Sequence, residues 1–192
     1  MEQLNQQIFL LLNSGAGTTS PWLDHLAVFS AQWLVWVLLP ALACGWFRGD
    51  LRYKKAIVNA VLAAIMALGA GALIGWLFPH PRPFALGLGR LLIDHVPDAS
   101  LPSDHLTLWW SLALGLAFCP QTRRIGLLLT LAGLLPAWAR IRAGVHFPLD
   151  MVAAFLLSWA VAGVLQRFGQ PWVHRLNALA MQWQRSLLGR HA

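Results

Sequence analysis

Ala139-Arg140-Ile141-Arg142-Ala143-Gly144-Val145-His146-Phe147-Pro148-Leu149-Asp150 separates two long apolar runs. A charged, turn-forming stretch in that setting reads as the place where the chain leaves one membrane helix and enters the next. Pro148 suits the first turn of the second helix, where its missing N–H costs nothing. His146 then lies at the mouth of that helix and Asp150 in its first turn. A carboxylate near an imidazole can fix its tautomer and raise its basicity. Arg140, six residues before His146, points to an anionic substrate, with phosphate the best fit. Taken alone, a histidine near a helix start is more often a satisfied polar residue than a catalyst. Its partners elsewhere in the chain decide.

Composition sets the class. Of 192 residues, 58% are hydrophobic and 11% charged, with a mean hydropathy of +0.59. A soluble domain carries about 25% charged residues, so the chain reads as an integral membrane protein in one domain, residues 1–192. Eleven Trp residues fit, because Trp gathers at membrane interfaces. The net charge of +7 is spread between apolar runs, not laid along one soluble face, which excludes a nucleic-acid partner. Cys44 and Cys119 read as small buried hydrophobes without a disulfide framework. The first twenty residues lack the basic region and cleavage site of a cleaved signal peptide.

The expected fold is an all-α bundle of about five transmembrane helices, with amphipathic surface helices at both ends. Met1 to Asn13 places Leu4, Ile8, Leu11 and Leu12 at helical spacing. Ser14 to Pro21 reads as a turn-rich loop. Spans are expected over about 22–47, 56–78, 103–119, 125–139 and 148–168, the third and fourth being short against the ~20 residues a crossing needs. Arg48, Arg52, Lys54 and Lys55 read as a short basic loop. Ala63, Ala67, Gly71 and Gly75 form a small-residue stripe for close helix packing. Residues 171–192 read as a surface helix, with Trp172, Leu176, Leu179, Trp183 and Leu187 among arginines.

Lys and Arg fix the orientation. Ten fall on one side of this topology, and only Arg82, Arg90, Arg140 and Arg142 on the other, so the first side is cytoplasmic. Three distant stretches then share the outer face. Arg82 follows the second span, Ser103 and His105 open the third, and Arg140, His146 and Asp150 join the fourth to the fifth. Ionisable residues at such depth are functional by default. Ser103 is also a good N-cap, and the amides after it would point at a bound phosphate.

These stretches resemble the three signature motifs of the type-2 phosphatidic acid phosphatase superfamily. The matching residues are Arg82-Pro83, Pro102-Ser103-Asp104-His105, and Arg140 with His146 and Asp150, over a signature core of about 56–168. Three departures stand out. Gly75 occupies the place of the family Lys, for which His80 or Arg142 could substitute. Ala139 replaces a Ser, and Asp104 a Gly. Pro-Ser-Asp-His, with His-Pro-Arg-Pro-Phe and Gly-Val-His-Phe-Pro-Leu-Asp, looks like the bacterial undecaprenyl-diphosphate phosphatase branch linked to bacitracin resistance.

The resemblance implies metal-independent phosphoryl transfer without a cofactor. His146 would be the nucleophile, Asp150 its orienting group, and His105 the proton donor to the leaving group. Arg82, Arg140 and Ser103 would hold the phosphoryl oxygens, and Arg142 either the second phosphate or a membrane headgroup. Asp104 would orient a His or Arg. The implied partners are a polyprenyl diphosphate and membrane lipids, with no required protein partner, and the site would face the periplasm or outer surface. Asp94, His95 and Asp98 read as solvated loop residues, Asp24 and His25 as interfacial with Asp24 in reach of the motif loops, and His174 and His191 as cytoplasmic surface. Trp109 and Trp110 read as packing or lipid-facing residues. The alternatives are a zinc hydrolase, which lacks a helix-borne His pair at i, i+4, and a transporter or scaffold with a degenerate site. The alternative substrates are phosphatidic acid and phosphatidylglycerol phosphate.

Overall fold

The computed structural model describes residues 2–14 and 20–188. Within them helices succeed one another as α1 (Glu2–Ser14), α2 (Pro21–Gln32), α3 (Leu38–Arg48), α4 (Leu51–Leu77), α5 (Asp104–Ala117), α6 (Arg123–Ala132), α7 (Leu134–Arg142), α8 (Pro148–Phe168) and α9 (Gln170–Leu188). Residues 15–19 of the expected N-terminal loop, and Arg190 and His191, lie outside the described residues.

Helix α5 is the axis. Nearly every residue from Leu106 to Ala117 is buried, because α4, α6 and α8 pack around it. Small residues make this possible: at Gly115 an added Cβ would run into the backbone of Ala60 on α4. Ala63, Ala67 and Gly71 are buried as the stripe requires, and Gly71 abuts Pro102. At ~21 Å by helical rise, the 14 residues of α5 fall short of a hydrocarbon core of ~30 Å.

Three helices are long and apolar enough to cross a membrane: α4, the run α6–α7 and α8. Helix α8 starts at Pro148 as expected. A further crossing would come from α2 and α3, which bend by 50°. The expected continuous span over 22–47 is therefore broken, with a 3-10 turn at Leu34–Val37 between its halves. The reason is Pro40, which cannot donate to an i−4 carbonyl and is tolerated in the first turn of a new helix. The run α6–α7 repeats the device, with Gly133 at the joint and Pro136 as the third residue of α7. Trp109 and Trp110, both buried, donate their indole N–H groups to the carbonyls of Leu129 and Thr130 at that joint, at 2.7 and 3.0 Å. They are packing residues.

Other expectations need correction. Arg52, Lys54 and Lys55 lie on α4 itself, because Asp50 caps the helix early by accepting the Tyr53 N–H at 2.8 Å. Cys44 is exposed. Helix α1 does more than coat a surface. Leu4, Ile8 and Leu11 face outward, while Asn5, Phe9 and Asn13 are buried against α7 and α8. Asn13 fastens the chain at Arg90 and Arg142 through three hydrogen bonds. Its Nδ2 donates to the carbonyls of Arg90 and Arg142, each at 2.8 Å, and its Oδ1 accepts the Arg90 N–H at 2.6 Å. Helix α9 packs on α4, where Lys54 Nζ donates to Gln184 Oε1 at 3.1 Å.

Candidate active site

The C-terminal ends of α4 and α7 and the N-terminal ends of α5 and α8 meet at one pole of the bundle. Arg82, Ser103, Arg140, His146 and Asp150 come together there, each at most 4% exposed. His146 lies in the link from α7 to α8. That link turns sharply at Gly144, with φ +83°, where any Cβ would strike the Arg90 carbonyl.

The bonding around His146 fixes its tautomer. Nε2 faces Arg82 Nη1 at 3.1 Å and Arg140 Nη2 at 3.2 Å. Guanidinium nitrogens only donate, so Nε2 holds a bare lone pair and the proton sits on Nδ1. Nδ1 in turn lies 3.3 Å from Asp150 Oδ2 and 3.2 Å from Ser100 Oγ. Asp150 also accepts the backbone N–H of Phe147, the residue that caps α8, at 2.8 Å. Burial pushes the His146 imidazole well below its ordinary value, and the nearby Arg140 and Arg82 push it the same way. The ring is neutral, and its Nε2 lone pair is aimed between two guanidinium groups.

The two arginines are held differently. Arg82 donates Nε to Asp98 at 2.7 Å, Nη1 to the Val145 carbonyl at 2.9 Å and Nη2 to the Ala99 carbonyl at 3.3 Å. Arg140 has no carboxylate partner among the described residues. Its Nη1 donates to the Ala31 carbonyl at 3.2 Å, and its Nε is buried without a partner. Ser103 occupies the N-cap position of α5, yet its hydroxyl makes no cap bond, contrary to expectation, and is likewise buried and unpartnered. Unmet buried donors are costly, at ~1–3 kcal/mol each. His105, in the first turn of α5, is partly buried, and its ring makes no hydrogen bond among the described residues.

Two expected phosphate ligands turn elsewhere. Arg142 points away from His146, because residues two apart on a helix diverge by ~200°. Its Nε donates to Asp24 Oδ1 at 2.9 Å, and Arg90 Nη2 donates to the same carboxylate's Oδ2 at 2.5 Å. His80 packs edge-on against Phe147 and lies 3.8 Å from Glu2. Arg142 is thereby committed to Asp24, whereas His80 Nδ1 is buried without a hydrogen-bond partner among the described residues, and the place of the family Lys stays with Gly75. That position lines a small cavity with Asp98 and Asp104, and Asp104 is exposed there.

Asp24 packs against the motif loops as expected, and does so as the centre of an ion-pair cluster with Arg90 and Arg142. Two residues were assigned too little. His95 is mostly buried and accepts from Arg140 Nη2 at 3.3 Å, with its ring 6.5 Å from that of His146. Burial, then the neighbouring arginines, hold it below the usual imidazole value. Ser100 is fully buried beside Asp150 and His146. Its one sequence signal is its place three residues before Ser103, which has no period to read.

Known proteins resemble the chain over most of its length. The model of the PAP2 superfamily matches residues 56–173. YbjG of Escherichia coli (strain K12) is 31% identical over 96% of this chain and 92% of its own. BcrC of Bacillus subtilis (strain 168), an undecaprenyl-diphosphatase by name, is 30% identical over 86% of this chain and 84% of its own. The crystal structure of Aquifex aeolicus LpxE aligns with a TM-score of 0.64 at 26% identity, covering 86% of this chain and 96% of that one.

Proposed function

The chain belongs to the PAP2 superfamily, and from that premise we propose that it removes the terminal phosphate of undecaprenyl diphosphate. One observation carries the reading: a buried, neutral His146 offers its lone pair between two guanidiniums, one of which has no carboxylate to neutralise it. Such a site is electrically incomplete until an anion enters. The names of the relatives, an undecaprenyl-diphosphatase among them, support that anion as the diphosphate of a polyprenyl lipid.

In this reading Nε2 of His146 attacks the terminal phosphorus. The N–P bond forms as the bond to the leaving oxygen breaks, and the lipid monophosphate departs with a proton from His105. Arg82, Arg140, the Ser103 hydroxyl and the amides opening α5 take up the charge on the phosphoryl oxygens. The imidazolium keeps its Nδ1 proton toward Asp150. Then His105 takes a proton from water, whose oxygen attacks the phosphohistidine, and inorganic phosphate leaves with the Nε2 lone pair restored. No metal takes part.

The whole chain acts as one membrane-embedded unit. With the flanking segments of α5 it makes five crossings, and the site faces outward from the inner membrane, as the distribution of Lys and Arg supports. The product is then the monophosphate carrier lipid of cell-wall assembly, and raised expression gives bacitracin tolerance. The test is phosphate release by detergent-purified protein in excess EDTA, from undecaprenyl diphosphate and from phosphatidic acid. Release chiefly from the diphosphate, lost in His146→Ala, is expected. Release chiefly from phosphatidic acid overturns the substrate, and equal release by the variant overturns the mechanism.

A further inference from the structure

Ser100 lies outside all three signature stretches, yet its side chain is enclosed at the centre of the site, with no exposure. The segment that bears it is laced to the phosphate-binding end. Its backbone N–H donates to the His80 carbonyl at 2.8 Å, and the two residues before it bind Arg82 through the Ala99 carbonyl and the Asp98 carboxylate. The hydroxyl has one proton. Asp150 Oδ2, at 2.5 Å, takes it. What Ser100 Oγ turns to His146 Nδ1, at 3.2 Å, is therefore a lone pair.

The Nδ1 proton thus has two acceptors. The direct contact to Asp150, at 3.3 Å, lies beyond the usual range for an N–H···O bond. The link through Ser100 has a short, charge-assisted second half, which polarises the hydroxyl oxygen. Asp150 is already committed to the Phe147 N–H as well. Both routes from carboxylate to imidazole are present, with nearly equal contacts at Nδ1, and the one through the serine adds a short bond at its carboxylate end.

We propose that Ser100 is a positioning residue that joins Asp150 to His146 through the chain Nδ1–H···Oγ–H···Oδ2, and so holds the nucleophile in its reactive tautomer. The proposal deepens the phosphatase reading and rests on it. No proton leaves Ser100. As the N–P bond forms, positive charge grows on the ring, the Nδ1 proton stays in place, and the polarised hydroxyl takes up part of that charge. Without the hydroxyl, Nδ1–H keeps only the long contact to Asp150. The guanidinium donors at Nε2 then stand alone in keeping the proton on Nδ1, and once they turn to a bound phosphate it can move to Nε2, where it blocks attack.

The test compares Ser100→Ala and Ser100→Thr with the full-length wild type in detergent, using undecaprenyl diphosphate as substrate. In Ser100→Ala, kcat falls by roughly 10- to 100-fold, while KM and inhibition by inorganic phosphate stay within about twofold. Ser100→Thr, which keeps the hydroxyl, recovers most of the loss. A second readout does not need turnover. In 15N-histidine spectra recorded with inorganic phosphate bound, the signal lost in His146→Ala shows a protonated Nδ1 and a bare Nε2 in the wild type, and a mixture of tautomers in Ser100→Ala. Full turnover in Ser100→Ala overturns the proposal. So does a loss in which KM and phosphate inhibition worsen in step with kcat and Thr is no better than Ala, since that is packing. Wild type that releases no phosphate sinks the phosphatase reading by itself. The spectra then decide the hydrogen-bond chain alone: an unchanged His146 tautomer in Ser100→Ala overturns it.

Discussion

Arg140 and Arg142 stand two residues apart on one helix and lead opposite lives. Arg142 is buried against Asp24, which it shares with Arg90, so its charge is answered inside the protein. Arg140 is buried as deeply but meets only a carbonyl, two imidazole nitrogens and an empty side at Nε. The difference teaches how to find the functional cation in a basic stretch. Burial does not mark it, since both are buried. The missing counter-charge does: a guanidinium held in a low-dielectric site without a carboxylate is costly unless its anion comes from outside.

The comparison can be broken in order of expected effect. His146→Ala removes the nucleophile and lowers kcat by ~10³-fold or more, measured as phosphate release. Arg140→Lys keeps a charge but loses the planar fork, and kcat falls by ~10²-fold with little change in melting temperature. Arg142→Met gives the opposite pattern. It strands Asp24 with Arg90 alone and costs about 2 kcal/mol of stability, seen as a lower melting temperature, while kcat stays within about threefold. Equal losses of activity in the two arginine variants would erase the distinction.

A pH profile sharpens the account. Because burial and two arginines hold His146 below the ordinary imidazole value of 6.5, the neutral, nucleophilic form survives as pH falls through that value. The acid limb of kcat/KM assigned to His146 therefore lies below pH 6.5. A limb at or above it would mean that the ring is more solvated or better paired with a carboxylate than the geometry shows. The smallest expected effect is that of EDTA, which leaves turnover unchanged.

Much of this was legible in the sequence, for physical reasons. Pro148 marks the start of α8, and the spacing from Arg140 to His146 to Asp150 survives folding because a helix end and a helix start fix it locally. The rest depends on long-range packing. The 3.6-residue period shows that α1 has an apolar face but not which face docks, and here Asn5, Phe9 and Asn13 turn inward while the leucines look out. Arg142 has the same composition and neighbourhood as Arg140, and only the position of Asp24, over a hundred residues away, separates their roles. His95 and Ser100 sit on an irregular segment with no periodicity, so nothing local reveals that Arg82 and Arg140 fold over it.

The proposed reaction requires that His146 become phosphorylated. The most direct measurement is a rapid acid-free quench of the enzyme turning over undecaprenyl diphosphate labelled in its terminal phosphate. The account predicts an acid-labile, base-stable label on the protein that maps to His146, forms no slower than phosphate is released, and is absent from His146→Ala. Steady release of labelled phosphate with no label trapped on the protein, or a label that persists in His146→Ala, would contradict it.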